Sequence, residues 1–162
     1  LGALIIVAGM VFHKSSNLTN TVSAAGRNRY VNRFMVETAA RNILTYNTMR
    51  SLLKSAYGRP PDSTEVLGYL QPLLTDGTAE AVFGIWTNAK EIEKMDIEPL
   101  QGKPVLIVWG TRDKWIGKGK GKRFHKAIPG SELALIEGAG HILIETHPEE
   151  FNAILTEFLE RR

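Results

Sequence analysis

The 162-residue chain contains no cysteine, which removes disulfides, a thiolate nucleophile and thiolate metal ligands together. Nothing then implies a secretory setting, and a cytoplasmic location is the expectation. Histidine is scarce. There are four, no two at a metal-motif spacing, so no metal site is expected. A long apolar run is also lacking: residues 1–12 are apolar but fall short of the roughly 18 that a membrane span requires, and no basic region precedes them. They read as a strand, and no membrane partner is expected. Charge of one sign hardly prevails, since 20 lysines and arginines against 17 acidic residues leave a formal +3, too little to argue for nucleic acid. Phosphate-loop and dinucleotide fingerprints are missing as well, because Gly117-x-Gly119-x-Gly121 fits neither pattern. What remains is an ordinary globular composition, 43% hydrophobic and 23% charged, long enough for about one domain with a sizeable core.

Two stretches organise the chain. Residues 103–113 read KPVLIVWGTRD: an apolar run from Pro104 to Trp109 with glycine at its exit, as in a parallel strand buried on both faces, delivering Asp113 just past its end. Residues 131–141 read SELALIEGAGH, a shorter strand at Glu132–Ile136 that delivers His141 the same way. The intervening segment is long enough for a helical crossover, so the strands can lie parallel about 4.8 Å apart and project both residues from one edge. A carboxylate bonded to one imidazole nitrogen fixes the tautomer and leaves the other nitrogen to take a proton. The bland alternative makes Asp113 a turn residue and His141 a loop histidine.

W-G-x-x-D after one apolar strand, then G-A-G-H after the next, then a helix, resembles the C-terminal end of the α/β-hydrolase family. The resemblance implies an α/β fold of parallel strands with flanking helices and an inserted helical cap. It makes Asp113 the triad acid and His141 the triad base, with no cofactor and a small-molecule substrate. The family's nucleophile elbow, G-x-S-x-G, should precede the strand at Leu4–Ala8. No serine or aspartate of the chain has glycine both two residues before and two after it, and no oxyanion loop is recognisable. The expectation is the C-terminal part of a longer enzyme, inactive by itself, with an apolar strand edge at Leu4–Ala8 that favours association. The oligomeric state is left open.

In chain order, residues 1–12 are expected to form a core strand, 13–97 the cap, and 98–162 the core with the acid and histidine loops. Helical spacing runs over 28–57 with a break near Tyr46-Asn47, ending at Gly58-Arg59-Pro60-Pro61. Asp62 or Ser63 can cap a helix through Leu74, and Asp76-Gly77-Thr78 marks a turn before another helical segment containing Val82, Ile85, Trp86, Ala89 and Ile92. Phe34, Met35, Met49, Phe83 and Trp86 are cap residues that serve packing or touch substrate. Lys114, Lys118, Lys120, Lys122, Arg123 and Lys126 fall among three glycines and read as a flexible, solvated loop entering the crossover helix, one that would bias the mouth toward anionic substrates. Thr146-x-x-Glu149 with Pro148 reads as a capping box, with His147 a capping residue, before an amphipathic helix carrying Phe151, Ile154, Leu155, Phe158 and Leu159. His13 and His125 have no comparable carboxylate partner.

The leading expectation is a hydrolase of a small, largely apolar ester, amide or related carbonyl compound. An aspartate nucleophile, with dehalogenase or epoxide-hydrolase chemistry, would use the same His141. A noncatalytic ligand-binding relative stays open, as does a basic nucleic-acid module around 114–126, which the spacing disfavours.

Overall fold

A computed structural model describes residues 2–9, 44–78, 81 and 97–161. Expectations for 10–43 and for most of 79–96, including His13, Phe34, Met35, Phe83 and Trp86, lie outside the described residues. The chain divides into two compact units, one of residues 1–11, 54–60 and 94–162, the other of 12–53 and 61–93.

The first unit is built on three parallel strands, β1 (Leu4–Val7), β2 (Val105–Gly110) and β3 (Glu132–Ile136), in the order β1-β2-β3. Leu4 pairs with Val105 and Val7 with Val108; on the other side Leu106 pairs with Glu132 and Gly110 with Ile136. As the middle strand, β2 is buried at all six residues, which is why its sequence does not alternate. Its alternate side chains serve opposite faces. Leu106 and Val108 join Ile136, Ala139, Leu143, Phe151 and Phe158 in one core cluster. On the other face Trp109 meets Phe124, with ring centroids 6.2 Å apart. Each fully buried aliphatic or aromatic side chain here contributes about 1.5–3 kcal/mol relative to exposure.

β3 has the bounds expected, whereas β1 ends at Val7, one residue earlier than expected. Ala8 leaves the strand with φ +42°, a left-handed conformation that extended backbone cannot continue. β2 is shifted by one residue, since Pro104 has no N–H for the ladder while Gly110 still pairs with Ile136.

Among the described residues, two α-helices precede β2. α1 spans Tyr46–Tyr57, beginning at the expected break, with Lys54–Tyr57 in the first unit. α2 spans Ser63–Leu73 and carries a full capping box: the Asp62 carboxylate accepts from Glu65 N at 2.8 Å, and Glu65 Oε2 accepts from Asp62 N at 2.8 Å. Leu74 is its C-cap rather than its last residue, and Gly77 turns the chain at φ +83°.

The crossover between β2 and β3 holds helix α3 (Gly119–Ala127). The solvated-loop reading of 114–126 is therefore corrected from Gly119 onward. Two glycines enter a helix that propensity disfavours because packing requires one of them: a Cβ on Gly121 would stand 2.8 Å from Trp109 Cε3. Lys114, Lys118, Lys122, Arg123 and Lys126 are solvent-exposed.

After β3 come a short helix α4 (Leu143–Thr146) and the long α5 (Pro148–Glu160). The expected Thr146 capping box is absent. Thr146 ends α4, so its hydroxyl donates to Ile142 O at 3.1 Å and accepts from His147 Nδ1 at 2.9 Å. His147 takes the N-cap position without a side-chain cap, and Pro148 opens α5, where a missing N–H costs nothing. Phe151 and Phe158 are buried, with Ile154 and Leu155 packed beside them, while Leu159 faces solvent. Among the described residues no helix is long and apolar enough to cross a membrane.

Candidate active site

Parallel strands release their side chains for chemistry at the carboxyl edge, and here two successive strands do so. Past β2, Thr111 N donates to Ile136 O at 3.0 Å and Arg112 N to Ala139 O at 2.9 Å, while Thr111 Oγ1 accepts from Gly138 N at 2.9 Å. The acid-bearing and histidine-bearing loops are thereby sewn together by main chain. Gly138, at φ +77°, makes the bend that allows it. Gly110 must be bare, since a Cβ there would run into the carbonyls of Ala139 and Gly140.

Asp113 lies between these seams with its side chain at 0% exposure, and its hydrogen bonds all point inward. Oδ1 accepts from Trp115 N at 2.9 Å and from Ile116 N at 2.8 Å. Oδ2 lies 3.0 Å from His141 Nδ1. An ionised carboxylate only accepts, so Nδ1 is the donor and the imidazole proton sits on that nitrogen. The tautomer is set by geometry. His141 keeps 22% of its side chain exposed, and among the described residues nothing bonds its Nε2. One nitrogen is anchored in a dry setting and the other is left to accept a proton.

The two residues singled out by sequence, 28 apart along the chain, are thus brought together. The remaining described histidines have other uses: His125 Nδ1 lies 3.0 Å from Ser131 Oγ, which itself donates to Ile128 O at 2.8 Å, and His147 meets Thr146. No group of three metal-ligating side chains occurs among the described residues.

Sequence reasoning missed the third wall of the site, residues 55–58 at the end of α1. Ala56 O accepts from His141 N at 2.5 Å and from Ile142 N at 3.3 Å. Tyr57, almost wholly buried, donates its hydroxyl to Glu145 Oε2 at 2.8 Å and lies under the Arg59 guanidinium at 5.0 Å. Gly140 abuts this segment so closely that a Cβ would meet Ala56 O, Tyr57 C and Gly58 N. Trp115 completes the wall: its ring centroid is 5.1 Å from that of His141, and its indole N–H donates to Ser55 Oγ at 3.1 Å. The one sequence signal here is Gly58-Arg59-Pro60-Pro61, which marks a chain reversal but not what the reversal touches.

No protein-family model matches the chain. Among curated proteins it is 28% identical over 117 residues to an uncharacterized hydrolase, YugF, of Bacillus subtilis, covering 69% of this chain and 41% of that protein. It is 29% identical over 101 residues to the pimeloyl-[acyl-carrier protein] methyl ester esterase of Neisseria meningitidis, covering 62% of this chain and 39% of the esterase. The chain therefore spans less than half the length of these relatives. Among solved structures, the meta-cleavage product hydrolase of Pseudomonas fluorescens superposes with a TM-score of 0.72 at 12% identity, over 99% of this chain and 56% of that one. The chain carries part of the α/β-hydrolase fold.

Proposed function

We propose that these 162 residues are the acid- and base-bearing part of an esterase-type hydrolase acting on a small ester, amide or related carbonyl compound. The observation that carries this reading is the 3.0 Å contact between a fully shielded Asp113 and an imidazole whose other nitrogen stays open. The hydrolase and esterase relatives support the same chemistry.

In the proposed cycle His141 Nε2 accepts the proton of the attacking group, and Asp113 holds the resulting imidazolium by its Nδ1–H. The same proton then passes to the departing alcohol or amine. In the second half a water gives its proton to Nε2 and attacks the acyl carbon; the bond to the nucleophile then breaks, His141 returns the proton to that nucleophile, and the acid is released. No serine of the chain lies in an elbow pattern, so the nucleophile comes from polypeptide outside residues 1–162. A serine gives an acyl-enzyme; an aspartate gives an alkyl- or glycol-ester that water, activated by His141, then cleaves. In this reading residues 13–97 correspond to the family's inserted helical cap.

The test compares the chain alone with the same chain extended by its encoded upstream residues. Alone it should show no burst with p-nitrophenyl butyrate and no labelling by a fluorophosphonate. Extended, it should hydrolyse the ester, and labelling separates a serine from an aspartate nucleophile. In the extended protein His141→Ala and Asp113→Asn should each lower kcat by roughly 10³–10⁴. Unchanged turnover in either variant, or stoichiometric labelling of the chain alone, would refute the assignment.

A further inference from the structure

A single hydrogen bond between Asp113 and His141 leaves a degree of freedom. It fixes the tautomer and one corner of the imidazole, yet the ring can still rock about the Nδ1···Oδ2 line. Rocking swings Nε2, the atom that must meet the proton. A catalyst that tolerates about 0.5 Å of misplacement needs a second contact on the face of the ring.

Trp115 supplies one, and does more. Its backbone N–H donates to Asp113 Oδ1 at 2.9 Å, holding the carboxylate oxygen that does not face the histidine. Its indole lies against the imidazole with centroids 5.1 Å apart and planes inclined by 32°, inside the range of favourable ring stacking. The indole is itself restrained, because Nε1–H donates to Ser55 Oγ at 3.1 Å. Ser55 sits one residue before Ala56, whose carbonyl holds the histidine's own N–H. One residue therefore touches both members of the pair, and its side chain is fixed from the segment that fixes the histidine backbone.

The exposure of Trp115 sharpens the point. At 46% exposed, Trp115 is not part of the buried core. Trp109, four residues before Asp113, shows the contrast: it is fully buried and built into the core.

We infer that Trp115 is a positioning residue of the Asp113–His141 pair, its main chain fixing the carboxylate and its Ser55-tethered indole fixing the plane of the imidazole. The inference rests on the acid-base role proposed above.

The test uses Trp115→Leu, Trp115→Phe and Ser55→Ala, read in two ways. In the 162-residue chain, proton NMR of the His141 ring should show the indole's ring-current displacement in wild type. That displacement should vanish in Trp115→Leu, be largely kept in Trp115→Phe, and be reduced in Ser55→Ala. In the upstream-extended protein, Trp115→Leu should lower kcat about tenfold with KM within twofold, a split expected of a misplaced base and not of weakened substrate binding. Trp115→Phe should recover most of that activity, and Ser55→Ala should fall between.

A Trp115→Leu enzyme with the wild-type kcat overturns the positioning role and leaves the acid-base pair standing. A rise in KM alone overturns it too, by making Trp115 a substrate-binding residue. An inactive wild-type extended protein removes the hydrolase reading, and the positioning role with it, even if the ring-current displacement is present. Absence of that displacement in wild type refutes the stacking itself.

Discussion

Gly140→Ala adds one methyl group at the most crowded backbone junction of the site. An ideal Cβ there stands 2.7 Å from Gly58 N and closer still to Ala56 O and Tyr57 C, all main-chain atoms that no rotamer change can move aside. Either residues 56–58 or the histidine loop must shift. The shift breaks the two hydrogen bonds that Ala56 O accepts from His141 N and Ile142 N. Overpacking costs about 1–3 kcal/mol and each of the two broken main-chain bonds about 0.5–1.5, so the expected destabilisation is about 2–6 kcal/mol. For a chain of this length that lowers Tm by about 4–24 °C. Urea titration followed by far-UV circular dichroism measures it, with Gly117→Ala as control, since a Cβ at Gly117 meets nothing within 4 Å and its φ is not left-handed. The control should stay within about 0.5 kcal/mol of wild type. Equal midpoints for the two variants would show that residues 55–58 do not clamp the histidine loop.

Other outcomes follow from the same packing. Gly121→Ala brings a Cβ to 2.8 Å from the buried Trp109 ring and should cost about 1–3 kcal/mol, with a change in near-ultraviolet tryptophan dichroism; a neutral result would mean that α3 does not press on β2. Arg161→Ala removes 2.5 Å contacts to Glu132 and Glu157, both at partly exposed sites, and should change stability by no more than about 1 kcal/mol, an effect that 0.5 M salt erases. A larger, salt-independent destabilisation would show the guanidinium packing through its stem instead.

The parts legible in sequence are those fixed by strand periodicity and strand ends. Glu132–Ile136 can be read residue for residue because an apolar run enclosed by Ser131 and Gly138 leaves a strand little choice of bounds. Asp113 and His141 follow, since a residue just past a strand's exit is placed by the strand. Helix α3 is not legible from its own residues: glycine at 119 and 121 argues locally against a helix, and the reason for Gly121 is a ring twelve residues earlier. The Thr146 box fails differently. The pattern is correct for a helix start, but α4 has already claimed the threonine hydroxyl. Ser55, Ala56 and Tyr57 lie 60 to 88 residues from the groups they bond, and no local pattern encodes such a meeting.

Trp109 reaches out of the core with one polar atom, donating its indole N–H to Ile116 O at 2.7 Å. That bond ties the end of β2 to the far side of the Asp113 turn, so residues 109–116 form a closed ring of fixed circumference. Lengthening the chain inside the ring would carry the carboxylate away from its imidazole. An insertion beside the exposed Gly117, outside the ring, would only lengthen the approach to α3. Tolerance to added residues should therefore change abruptly at Ile116, within a stretch that by composition alone looks uniformly permissive.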